Sequence, residues 1–305
     1  MREARPTNSA TGPEPPAGVT GTRGARRRWV PARMLCRSRS ALVGGSIVLA
    51  LVLVAVFAPA LSPHSPQEME VSNRLLGPSH LHPFGTDDIG QDVFSRVVFG
   101  ARVSLVIGAL VVTSSAAAGI VLGLLAGYAD RVDRILMRLL DGLMAFPAIL
   151  LAIGLMAALG ARLSNVIIAL AVVFTPRVAR VVRGVTLVVR ELDYVQAARA
   201  LGARDAGIMA RHVLPNCLAP TIVQATFIFA ESVLAEAALS FLGVGLPPDI
   251  PSWGTIIAGG RTFMQIAPWI TVFPGASIFV AVLGLNLLGD GLRDLADPQL
   301  RGRTA

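Results

Sequence analysis

Five long stretches of this chain contain no charged residue, and a sixth is interrupted only by two glutamates. They cover residues 41–61, 103–127, 142–161, 163–176 and 262–289, with 213–241 holding Glu231 and Glu236. As a helix, 41–61 is about 31 Å long at roughly 1.5 Å per residue, enough to cross a bilayer core of about 30 Å. Such runs leave little choice of fold. In hydrocarbon each backbone N–H and C=O must be satisfied within the segment, and a helix does this. The 163–176 run is too short alone, so its helix must extend past Arg177, whose guanidinium would snorkel to the interface. The expectation is an all-α protein with about six spans, near 41–61, 103–127, 142–161, 163–182, 216–241 and 266–289.

The charges sort by side. All 27 basic residues are arginines, and the net charge is +8. Without a lysine there is no phosphate-binding loop of the Walker type, so this chain is not expected to hold ATP in one. The arginines flank apolar runs, which fits membrane topology and not nucleic acid. With both ends of the chain inside, 22 arginines lie in inside segments and 5 in outside ones. The positive-inside rule therefore predicts cytoplasmic termini. Residues 1–40 are Arg-, Pro- and Gly-rich and read as a disordered cytoplasmic tail. Arg26, Arg27 and Arg28 ahead of the first run resemble a secretion signal, but the run is long and five more follow, so it reads as an anchor.

The segment 190–215 then faces the cytoplasm. Tyr194, Ala197, Ala198 and Leu201 repeat at i, i+3, i+4 and i+7 and make one apolar face. Gly202 follows as a C-cap, and Arg199, Arg204 and Arg211 supply positive charge. From spacing alone, this helix could dock on a partner or lie on anionic lipid.

Glu231 and Glu236 sit at membrane depth, where ionisable groups are costly and mark candidate functional positions. They are about 140° apart around a helix, which argues against a shared proton relay. Hydrogen bonding to neighbouring helices or to a second subunit, and lining a transport path, both remain open. His80 and His82 near Asp87 and Asp88 do not make a convincing metal set, and no metal or cofactor is expected. No hydrolase or metalloprotease signature occurs, so no catalytic residue is expected.

Four motifs occur in order. The first is His82-Pro-Phe-Gly85-Thr86-Asp87-Asp-Ile-Gly90-Gln-Asp92-Val-Phe-Ser95-Arg96, continuing through Gly100 and Arg102. The second is Asp141-Gly-Leu-Met-Ala-Phe-Pro147. The third is Gln196-Ala-Ala followed by Gly202 and Leu214-Pro215. The last is Glu236-Ala-Ala-Leu-Ser-Phe-Leu-Gly-Val-Gly-Leu-Pro-Pro248 with Pro251-Ser-Trp-Gly254. Together they resemble the C-type permease subunit of dipeptide, oligopeptide and nickel importers of the ATP-binding-cassette type. The resemblance spans about 41–301 and implies the type I importer permease fold. It also implies a bacterial inner-membrane location and no enzymatic activity in this chain. Its implied partners are a second homologous permease subunit, two cytosolic ATPase subunits and an extracytoplasmic substrate-binding lipoprotein, in membrane lipid. It assigns ATPase coupling to Gln196, Ala197, Ala198, Arg199, Leu201, Gly202, Arg204, Leu214 and Pro215. The implied cargo is di- or oligopeptide; nickel or another small solute, and a proton-coupled transporter using Glu231 and Glu236, are the alternatives. The chain departs from the family pattern at three positions: Gln196 replaces a glutamate, Arg204 a small hydroxyl residue, and Gln91 an arginine.

Overall fold

The computed structural model describes residues 38–296, so most of the arginine-rich tail and the last nine residues lie outside the described residues. Among the described residues every element of regular length is helical. The helices are α1 (Arg39–Val56), α2 (Ala58–Leu61), α3 (Val93–Tyr128), α4 (Asp130–Met144), α5 (Ala148–Leu159), α6 (Leu163–Val189), α7 (Asp193–Ala200), α8 (Asp205–Ile208), α9 (Leu214–Phe241), α10 (Trp253–Gly260) and α11 (Trp269–Ala296). A π-helical turn, Met209–Val213, joins α8 to α9. Helices α1, α3, α6, α9 and α11 are each long and apolar enough to cross a membrane.

The run at 142–161 does not form one helix. It divides into the end of α4 and the whole of α5, two helices bent by 93°. Proline explains the break: Pro147 has no N–H to donate back, and its ring pushes Phe146 out of helical geometry. Pro147 becomes the N-cap of α5 at φ −55° and ψ 130°. The twelve residues of α5 cover only about 18 Å, less than a bilayer core. The last long helix likewise starts at Trp269, after Pro268, and not at 262 or 266.

The tightest pairing is α3 on α6. Gly119, Gly123 and Gly127 recur every fourth residue and lie against Val178, Val182 and Thr186. A Cβ on Gly123 would stand 2.6 Å from the backbone oxygen of Ala179. Small residues at this spacing let two membrane helices approach closely, and dispersion contacts then hold them. One buried cluster joins α3, α5, α6 and α9 through Ile107, Met156, Phe174 and Ile228. A second joins α3, α9, α10 and α11 through Val97, Val233, Trp253 and Ile270.

Candidate functional site

At one end of the bundle, the segment between α6 and α9 forms a bracket tied down from inside. Val195, Ile208 and Val213 are fully buried in the cluster under it. Gln196 Nε2 donates to the Arg190 carbonyl at 2.8 Å, and Arg190 caps α6. Helix α7 ends in a Schellman turn: Ala203 N–H donates to Ala198 O at 3.1 Å and Gly202 N–H to Arg199 O at 3.0 Å. Gly202 has φ +82°, the left-handed geometry this turn requires. Arg204 is the N-cap of α8 and makes no side-chain capping bond.

The exposed surface of the bracket carries large apolar side chains among its charges. Leu201 is 89% exposed and Tyr194 46%; Ala197 is exposed and Ala198 half-buried. Arg199 is not a free cation. It donates to Tyr128 Oη at 3.1 Å, stands 5.6 Å from that ring's centroid, and has its pKa raised chiefly by that hydrogen bond. Tyr128 Oη in turn donates to Asp205. The C-terminus of α3 is thereby joined to both α7 and α8. Pro215 stands one residue into α9, directly after the π-helical turn, and Leu214 opens that helix.

At the other end, the 62–92 segment is a cap built on α3. Asp92 is the N-cap, accepting from Ser95 N at 2.8 Å and Ser95 Oγ at 2.7 Å. Its other oxygen lies 2.9 Å from His82 Nδ1. Asp87 accepts from Gln91 N at 2.8 Å, Ile89 N at 3.1 Å and Arg96 Nη1 at 2.9 Å. Burial pushes the Asp87 carboxyl above its ordinary value, against the opposing pull of Arg96 and those backbone donors. Thr86 Oγ1 bonds Asn73 O and accepts from Leu76 N at 2.8 Å; Trp269 Nε1 donates to Thr86 O at 3.0 Å. Gly85 and Gly90 are left-handed, at φ +74° and +81°. Gly100 lets Trp253 lie against α3, and Arg102 is exposed. His80 and Asp88 do not join the histidine cluster. The structure instead gathers His64, His82 and Asp92, whose ligand atoms lie within 4.8 Å of one another. His64 went unread in the sequence because it stands well outside the motif.

Between the ends, the two glutamates have separate environments. Glu236 is fully buried. Its Oε1 accepts from Ser240 and Ser252, each at 2.8 Å, and its Oε2 from Ser104 at 3.5 Å. Ser252 also caps α10, and Trp253 N donates to Ser104 Oγ at 3.2 Å. One carboxyl thus fastens α3, α9 and the α10 entry. Glu231 bonds Arg177 of α6, so that guanidinium turns to a carboxylate and does not snorkel. Further along α6, Arg180 pairs with Asp141 at 2.6 Å, Arg183 bidentately with Asp133, and Arg190 with Asp130 at 3.1 Å. The polar side of α4 is therefore clipped to α6, while Ile135 and Leu139 stay exposed.

A bundle of membrane-length helices, clipped together by interhelical ion pairs and presenting Leu201 and Tyr194 outward at one end, defines an integral membrane protein. Residues 119–302 match the family described as binding-protein-dependent transport system inner membrane component. Residues 28–78 match the N-terminal TM domain of oligopeptide transport permease C. The chain belongs to this permease family. A relative in Brucella suis biovar 1 is 52% identical over 270 residues, 88% of this chain and 91% of its own. The dipeptide transport system permease protein of Alkalihalophilus pseudofirmus is 46% identical over 270 residues, 88% of this chain and 89% of its own. The glutathione transport system permease protein of Pectobacterium atrosepticum is 43% identical over 271 residues, 88% of this chain and 90% of its own. Membership of this family selects the importer reading over the proton-coupled one.

Proposed function

We propose that this chain forms half of the path through which an ATP-binding-cassette importer moves di- or oligopeptides across the bacterial inner membrane. The names of relatives that carry dipeptides and glutathione support the cargo. In this reading residues 41–301 are the permease domain, and the bent pair α4–α5 serves as the sixth crossing. A homologous permease completes the path. Two cytosolic ATPases supply energy, and an extracytoplasmic lipoprotein delivers substrate. The bracket 190–215 and both termini face the cytoplasm.

One observation carries the coupling assignment. The bracket presents Leu201 and Tyr194 outward yet is bonded to the ends of α3 and α6. A partner gripping such a surface moves the helices and not merely a loop. The site performs no bond-making chemistry. Closure of the ATPases would displace the bracket, and the stiff α3–α6 pair would transmit that displacement to the far end, alternating access. The test is reconstitution of the four-subunit complex in proteoliposomes with its binding protein. ATP-dependent uptake of dialanine that requires this chain is the expected result. Uptake without the ATPases, or none with them, rejects the reading.

A further inference from the structure

Arg177 and Glu231 are bonded to each other deep in the bundle, yet neither is buried: their side chains are 37% and 44% exposed. Arg177 lies fourteen residues into α6 and Glu231 ten residues from the end of α9, about 21 and 15 Å along their helices. Both therefore sit within the thickness of a bilayer core. Charged groups at that depth face a water-filled cavity or a partner, because lipid cannot solvate them. Glu231, with Arg177 bonded to it, lines a cavity of about 280 Å³ walled by Ala148 and Ile149 of α5, Leu170 and Phe174 of α6, and Leu234 and Ala235 of α9. A third feature converges there. The broken helix α5 begins at Ala148 with no side-chain cap, and its first two residues, Ala148 and Ile149, line the same cavity.

We propose that Arg177 and Glu231 form a binding site for the two charged termini of a peptide in transit. This rests on the function proposed above and adds the chemistry by which the path holds its cargo. The Arg177 guanidinium receives the α-carboxylate, assisted by the N-terminus of α5. The Glu231 carboxylate receives the α-ammonium. The exchange is charge-balanced: one ion pair and one zwitterion become two ion pairs, and no charge is left unpaired in a low-dielectric site. The apolar walls accept side chains of many shapes. A solute lacking either terminus strands one partner, so the site favours free peptides over blocked ones. When the cargo leaves, Arg177 and Glu231 close on each other again.

The test uses the assembled complex with Cys36→Ser and Cys217→Ser, adding Ala235→Cys as a reporter. Two methanethiosulfonate reagents of opposite charge probe the thiol, and dialanine uptake is measured beside them. The thiol is expected to react with both reagents. Arg177→Gln should lower the anionic-to-cationic rate ratio about tenfold and Glu231→Gln raise it about tenfold. Each should slow dialanine uptake about tenfold or more in normally assembled complex, with the exchanged pair Arg177→Glu/Glu231→Arg recovering part of the loss. An unreactive thiol in a complex that imports dialanine normally would place the pair at a closed subunit contact and overturn the proposal. Full uptake in both neutral variants would also overturn it. A wild-type complex that hydrolyses ATP on loaded binding protein yet imports no dialanine would reject the peptide assignment itself, and this site's ligand with it.

Discussion

Gln196 reaches back to the helix before its own: its Nε2 donates to the carbonyl oxygen of Arg190 at 2.8 Å. The amide that departs from the family's glutamate thus satisfies a helix end that a carboxylate, having no proton to give, would leave open. In Gln196→Glu the complex should still assemble. The loss of roughly 1 kcal/mol should lower hydrogen-exchange protection of amides 190–201 about fivefold. Unchanged protection would show that this bond does not hold the bracket.

Gly202 tests geometry separately from crowding. No atom lies within 4 Å of a Cβ placed there, so a substitution meets no clash within the chain. Its cost is the left-handed φ, roughly 1–2 kcal/mol for most residues and less for asparagine. Substrate-stimulated ATPase activity of the reconstituted complex should fall in the order Gly202→Asn, Gly202→Ala, Gly202→Val, with valine lowest. Equal activity in all three would remove the Schellman turn from the coupling path.

Glu236 should tolerate an amide and reject an alkyl group. In Glu236→Gln, Oε1 still accepts from Ser240 and Ser252, and the new NH2 can donate to Ser104. Glu236→Leu leaves those hydroxyls without that partner, at about 1–3 kcal/mol for each that stays unsatisfied. The purified complex should lose about 5 °C or more in Tm with leucine and little with glutamine. Equal losses would point to a role for the negative charge itself.

The α3–α6 contact has a built-in control. Gly123→Val forces a side chain against the backbone of Ala179, whereas Gly154 has nothing within 4 Å of its Cβ position. Gly123→Val should sharply reduce detergent-stable protein, and Gly154→Val should leave it near wild type. The reverse result would show that α3 and α6 do not pack through this ladder in the membrane.

Topology is checked by single cysteines at two exposed positions, His80 and Ala203. His80→Cys should react with an impermeant maleimide in intact cells, and Ala203→Cys only after permeabilisation. The opposite pattern inverts the proposed orientation.

How far the sequence reaches follows from the range of each interaction. The long helices were legible because hydrocarbon thickness sets a length and backbone satisfaction demands a helix, both local conditions. Gly202 as a helix end was legible for the same reason: its φ is a property of one residue. The break at Pro147 was also local, written in Phe146-Pro147, but the unbroken apolar run concealed it. The Gly119, Gly123 and Gly127 ladder stood in plain view and carried no meaning until α6 supplied the opposing face. What the tertiary structure alone decided is which distant groups meet. Arg177 faces Glu231 and not lipid headgroups; Glu236 collects Ser104, Ser240 and Ser252; His64 joins His82 and Asp92. A polar side chain at membrane depth must find a partner, and the sequence states that need. Only the packing of helices against one another chooses the partner, because the choice depends on rotation and depth that no local pattern encodes.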